Sequence, residues 1–224
     1  MKKSKKVLKV AEFSTKDILA NVMPTPMVKN KLSAEEKIEK IAQKFTEIMD
    51  ILGMDLADDS LEETPRRVAK MYVNEIFSGL LPENFPKMTV IENKMKYDQM
   101  ICISGISSIS VCEHHFMTID GLATVAYIPN EKVIGLSKIN RIVQFFSRRP
   151  QVQERLTKQI ADCLQYVLAT EHVAVYIDAR HYCMIARGIE DTGSTTVTTE
   201  VRGHFRTNVP TREEFLRQCR RVNR

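Results

Sequence analysis

The chain has no tryptophan and only eight glycines and eight prolines in 224 residues. It nowhere carries an apolar run approaching the roughly 20 residues of a membrane-spanning helix. Each shortage excludes a class. So little glycine and proline, without a period, rules out collagen-like and low-complexity chains, and without a spanning segment no membrane partner is expected. No repeat of 20 to 50 residues occurs, so solenoids and propellers are excluded. There is no C-x-x-C pair, which removes the usual closed zinc ribbons, and no H-x-E with P-C-x-x-C, which removes the zinc nucleoside deaminase signature. Aromatic residues make up 7% of the chain, too few to suggest interleaved stacking platforms, and no nucleic-acid partner is expected.

What is present is an ordinary globular composition, 43% hydrophobic and 27% charged, with a net charge of +5 that favours anionic partners. Five cysteines, an odd number scattered through the chain, fit a reducing compartment better than a disulfide framework, so a cytoplasmic location is expected. The start, M-K-K-S-K-K-V-L-K, resembles the basic part of a secretory leader, but Lys9, Glu12 and Lys16 interrupt any apolar stretch behind it. Residues 1–32 are expected to form a flexible basic segment, closed by Pro24 and Pro26.

Order is expected to begin at Ser33, where S-A-E-E makes a capping box and Ile38, Ile41, Ala42, Phe45, Ile48, Met49 and Leu52 recur at helical spacing up to Gly53. A second helix starts at Thr64-Pro65 and runs toward Gly79. These two helices make an N-terminal layer, residues 33–80, in front of a domain spanning 81–224. That domain opens with strand-like runs at Thr89–Ile91, Met100–Ser104, Ile106–Val111 and Leu122–Ile128. Two helices follow, one opening at Ser137 and a longer one after Pro150. Strands return at Val173–Asp178, His181–Arg187 and Thr195–Val201, and a helix from Thr211 closes the chain. The class is α+β, an antiparallel sheet bracketing a helical pair.

The densest chemistry is C-E-H-H at Cys112, Glu113, His114 and His115, where a strand pattern ends. A thiolate and an imidazole three residues apart can converge on one cation, and zinc favours that mixture of donors. H-Y-C-M-I-A-R, taken as a strand, alternates so that His181, Cys183 and Arg187 share a face. Cys112, His115 and Cys183 together would give three protein ligands and leave the fourth tetrahedral position open, the mark of a catalytic zinc. Cys102, Cys163 and Cys219 lie in apolar patterns and are taken as packed thiols; His172 and His204 stand apart from both clusters.

Four linked motifs, C-E-H-H-F, V-I-G-L-S-K-I-N-R-I-V, R-P-Q-V-Q-E-R-L-T and H-Y-C-M-I-A-R-G, resemble GTP cyclohydrolase I in order and spacing, and T-P-R-R-V-A-K-M-Y before them is similar too. The resemblance implies the tunnelling fold, with sheets from several subunits closing a barrel, and a homo-oligomer in the form of a toroidal decamer with shared active sites. It implies the conversion of GTP and water to formate and 7,8-dihydroneopterin triphosphate, the first step of tetrahydrofolate and pterin biosynthesis, with one zinc per subunit on Cys112, His115 and Cys183. His181 then matches the group that protonates N7, His114 the group acting at the ribose ring oxygen, and Ser137 a proton relay. Ser137, Lys138 and Arg141 at a helix start, extended by Arg187, would cradle the triphosphate. By resemblance Lys70 and Arg67 join them from a neighbouring subunit. Glu154, with Gln153 beside it, is the expected reader of guanine, since a carboxylate accepts from N1 and the 2-amino group, a donor pair adenine lacks.

Overall fold

The computed structural model describes residues 14–28 and 30–220. The lysine-rich head of the sequence lies outside them. Order begins earlier than Ser33: Thr15–Ala20 form α1, capped by Ser14, with Ile18 and Val22 buried in the main core. The segment after it is also anchored, because Met23 N donates to Asp162 at 2.9 Å and Gln159 donates to Met23 O at 2.8 Å. An apolar Ile-Leu-Ala turn behind a serine cap was the signal for this helix, and its single turn was too short to stand out by periodicity.

Helix α2, Ala34–Ile51, has the expected capping box between Ser33 and Glu36. It packs on α3, Thr64–Lys70, where Arg66 bonds Glu39 and reaches Glu35 at 2.8 Å. The second helix does not stay regular: Met71–Ile76 widen into a π-helical turn, which swings Tyr72 and Phe77 into a stacked pair with ring centroids 5.3 Å apart.

The core is a five-stranded sheet in the order β5-β2-β3-β6-β7, built from Ile101–Cys112 (β2), Thr118–Tyr127 (β3), Pro150–Gln151 (β5), Val173–His181 (β6) and Thr196–Val201 (β7). Only the β2–β5 pairing is parallel. The runs expected as two strands on either side of Gly105 are one strand, β2. Its register shifts between Ile103 and Ile106, where Gly105 takes φ +72°, a conformation that costs glycine little. A separate pair joins β1, Val90–Glu92, to β4, Lys132–Ile134.

Helices α4, Leu136–Ser147, and α5, Gln153–Leu168, cover one face of the sheet. Ile139, Ile142, Val143 and Phe146 from α4 and Leu156, Ile160 and Leu164 from α5 are buried against Val125, Val175 and Ile177. A second cluster sits under the C-terminal helices α7, His204–Thr207, and α8, Val209–Arg220, where Phe205, Phe215 and Cys219 meet Ala126 and Ala174. Beyond that cluster Ser107, Ile109, Asp120 and Arg180 are exposed. The fold is therefore α+β with a mixed, largely antiparallel sheet.

Candidate metal centre and active site

Cys112 is the last residue of β2 and is buried, while Glu113, His114 and His115 form the turn beyond it, as expected for a strand-end motif. Two hydrogen bonds close this turn: Cys112 N donates to Met117 O at 2.8 Å and Phe116 N to Cys112 O at 2.9 Å. Phe116 takes φ +55° and lays its ring against Tyr72 and Phe77, at centroid distances of 5.9 and 5.5 Å. On the other side Glu113 N donates to Gln151 O at 3.0 Å. The Glu113 carboxylate accepts both arms of the Arg155 guanidinium, at 2.5 and 3.2 Å, and that contact holds its carboxyl below the usual range.

The segment expected as a strand from His181 to Arg187 is one only at its first residue. β6 ends at His181, and Tyr182–Ile185 make a single helical turn, α6. Alternation therefore does not explain how Cys183 reaches the site; the turn directly after the strand end does. Through it the donor atoms of Cys112, His115 and Cys183 all come within 4.8 Å of one another, the group among the described residues suited to a metal ion. Burial, followed by the neighbouring Cys112 thiol, pushes the Cys183 thiol up from its ordinary pKa. Two thiols and an imidazole this close together are good ligands for a soft dication, so the donor set fits a thiophilic metal. Arg187 Nη1 donates to His115 Nε2 at 3.1 Å, which keeps a guanidinium at the edge of the group.

His181 is half-buried beside the cysteines and bonds Gln153 Oε1 through Nε2 at 2.8 Å. Gln153, expected beside Glu154 at the start of α5, is there, but its side chain points into the fold. It is 1% exposed, and its Nε2 donates to Ile177 O at 3.1 Å and Thr196 O at 2.8 Å. Two carbonyl partners fix the amide orientation, so the oxygen faces the imidazole and His181 Nε2 carries the hydrogen. His181 Nδ1 is then left for proton exchange. Burial lowers the His181 pKa, and the Glu154 carboxylate works against that shift. Glu154 itself is exposed, and His114 Nδ1 lies 3.8 Å from Cys112 Sγ.

Other expected site residues are not gathered here. Ser137, Lys138 and Arg141 lie in the first turns of α4, which follows β4, and β4 abuts Tyr127 through the Ile134 N to Tyr127 hydroxyl contact of 3.4 Å. Tyr127 pairs with Ile101, at the end of the ladder opposite Val111 and Thr118. The far end of α4 meets the Cys112 side, through Ser147 to Ser108 at 3.0 Å. About 15 Å of helix therefore separates Ser137 from that end. Arg141 instead lines a cavity of about 300 Å³ with Arg148, Ser78 and Asn84. Arg67 and Lys70 are exposed on α3.

Sequence reasoning gave Arg155 and Phe116 no role and left Glu113 unassigned, although C-E-H-H-F and Q-E-R contain all three. An acid and a base 42 positions apart announce no pairing until the fold is known. His172 and His204, expected to stand apart from both clusters, bond each other: His204 N donates to His172 Nδ1 at 3.1 Å. Cys102, Cys163 and Cys219 carry free thiols, and burial pushes them up to about 11, beyond the aqueous range, and to about 12 respectively.

Comparison with known proteins gives a consistent picture. The family profile for GTP cyclohydrolase I matches residues 41–220. A protein named GTP cyclohydrolase 1 from Yersinia enterocolitica is 58% identical over 212 residues, covering 95% of this chain and 96% of its own. One of the same name from Aeromonas hydrophila is 61% identical over 202 residues, 90% of this chain and 93% of its own. Among solved structures, an archaeosine synthase QueF-Like in its apo form is 15% identical with a TM-score of 0.39, covering 46% of this chain and 93% of its own, a likeness too slight to bear on the fold.

Proposed function

Because the chain belongs to the GTP cyclohydrolase I family, we infer from its site how it converts GTP and water to formate and 7,8-dihydroneopterin triphosphate, in pterin and folate biosynthesis. The observation that carries this reading is the convergence of Cys112, His115 and Cys183 where β2 and β6 finish at the same end of the sheet, with His181 and His114 at its edge. We assign the metal as zinc, one per chain. When bound, it supplies a Lewis acid that makes water nucleophilic near neutral pH.

The other roles belong to the chain's own side chains. His181, holding its Nε2 hydrogen on Gln153, turns Nδ1 toward N7 of the purine and, as the imidazolium, gives its Nδ1 proton to N7, which makes C8 electrophilic and leaves the neutral imidazole. A pKa lowered by burial but raised by Glu154 leaves this imidazole able both to give and to accept a proton. Attack of water at C8 opens the C8–N9 bond, and a second hydrolysis releases formate. His114 stands on the solvent side of Cys112, where we place the ribose ring oxygen, and Ser137 relays a proton in the sugar rearrangement. Glu154, exposed at the first turn of α5, accepts from guanine N1 and the 2-amino group.

The triphosphate is assigned to Lys138, Arg141, Arg187, Arg67 and Lys70. Within one chain Ser137, Lys138 and Arg141 stand at the opposite end of the sheet from Cys112. Completing one site from these groups therefore calls for a second copy. This separation supports a homo-oligomer with shared sites, which we take to be the ring-shaped decamer of the tunnelling fold. The exposed sheet face at Ile109, Asp120 and Arg180 would then line the closed barrel. No described helix is long and apolar enough to cross a membrane, and five unpaired thiols fit the cytoplasm.

Incubation with GTP and with ATP, followed by oxidation and fluorescence detection of pterin, tests the activity and its base selectivity together. GTP should yield a fluorescent pterin and ATP none. Pterin formed equally from both would refute the guanine-reading role of Glu154, and none from either would refute the site.

A further inference from the structure

The turn that presents His115 is closed by its own two backbone bonds and leans on Tyr72 and Phe77 through Phe116. His114 and His115 are exposed, so burial does not set where their imidazoles stand. One backbone bond, Glu113 N to Gln151 O at 3.0 Å, ties a point of this closed turn to β5. A second point is fixed by a side-chain pair: both oxygens of Glu113 meet both terminal nitrogens of Arg155, with the two side chains 25% and 12% exposed. A bidentate guanidinium–carboxylate contact defines orientation as well as distance, which a lysine could not do.

Arg155 is also the third of three successive residues on the first turn of α5 with separate tasks. Gln153 holds His181, Glu154 faces outward, and Arg155 takes the turn between Cys112 and His115. One rigid helix end thus fixes the acid–base histidine and the metal turn relative to each other. The charge matters as well. Two metal-binding thiolates and the Glu113 carboxylate would repel one another on so short a stretch, and the guanidinium offsets that repulsion.

We propose that the Arg155–Glu113 ion pair is a positioning device that sets the turn carrying His115 in its metal-binding arrangement before the metal arrives. Neither residue touches substrate or metal; both act through the turn. The inference rests on the reading that Cys112, His115 and Cys183 hold zinc.

The test uses the full chain with Arg155→Met, Glu113→Gln and the double variant, each shown to be folded by circular dichroism. Zinc affinity and release are followed by competition with a chromophoric chelator. Each single variant should bind zinc about 10- to 100-fold more weakly, the usual cost of losing an outer-shell partner of a metal site. The double variant should be no worse than the weaker single one, because both changes break one pair. Turnover should fall while KM for GTP stays near native. Should Arg155→Met fail to fold, Glu113→Gln carries the test alone. Native zinc affinity and release in a folded single variant, or losses in the double variant equal to the two single losses combined, would overturn the positioning role. Absence of zinc from the native protein under loading conditions would instead overturn the metal reading and this inference with it.

Discussion

Replacing Gln153 by methionine keeps the volume of the buried side chain but removes its three polar contacts, to Ile177 O, Thr196 O and His181 Nε2. At about 1 kcal/mol net for each hydrogen bond, the fold should lose about 3 kcal/mol. For a chain of this length each kcal/mol shifts Tm by roughly 2–4 °C, so the melting point should drop by roughly 6–12 °C. The kinetic effect is separate. Without the amide oxygen His181 can turn, so Nδ1 no longer reliably faces N7 of the purine to transfer its proton. A loss of about 10- to 100-fold in kcat is expected, short of the larger loss from deleting the imidazole. KM should change little, since Glu154 and the cationic side chains are untouched. Gln153→Glu makes the contrast, because it retains an acceptor for His181 but sets a carboxylate against two carbonyl oxygens and should be the less stable variant. Thermal unfolding and steady-state kinetics with GTP read both effects. A Gln153→Met protein with native kcat and a melting point within about 2 °C of native would refute this chain of reasoning.

His114→Ala and His181→Ala should each keep zinc and lose about 100- to 10,000-fold in turnover; loss of zinc from either, by metal analysis, would make that histidine a ligand. Glu154→Ala should cripple GTP turnover. In Glu154→Gln the carboxylate that raises the His181 pKa is gone, so an NMR titration of the metal-free protein should find His181 lower than in native, and a higher value would contradict the assignment. Arg141→Ala or Arg187→Ala should raise KM for GTP, salt should weaken binding, and GMP should be a poor substrate. Equal use of GMP and GTP would remove the reason for the basic cradle.

Much of this arrangement is legible in the residues alone, for physical reasons that differ from element to element. Helix α2 announces itself because its capping box and apolar period agree, and Cys112-Glu113-His114-His115 falls on a turn because a β-rich run stops there. The two pieces on either side of Gly105 look like separate strands because a bulge breaks the period without ending the pairing. His181 to Arg187 misleads for a related reason: its β-rich residues continue past the true strand end, while the chain must curl into α6 to bring Cys183 toward Cys112. The short helix α1 is hidden by its length, and the buried role of Gln153 by its neighbour, since a glutamine beside an exposed glutamate looks like part of the same surface. Pairings such as Arg155 with Glu113 depend on tertiary contact and leave no local trace.

The central claim is that Cys112, His115 and Cys183 form one metal site on which ring opening of GTP depends. The direct measurement is formate released from GTP as zinc is titrated into metal-free protein, with Cys183→Ser run alongside. Formate production should rise with zinc, level off at one ion per chain, and stay absent in Cys183→Ser at every stoichiometric addition; full formate release by folded protein shown to contain no metal would contradict it.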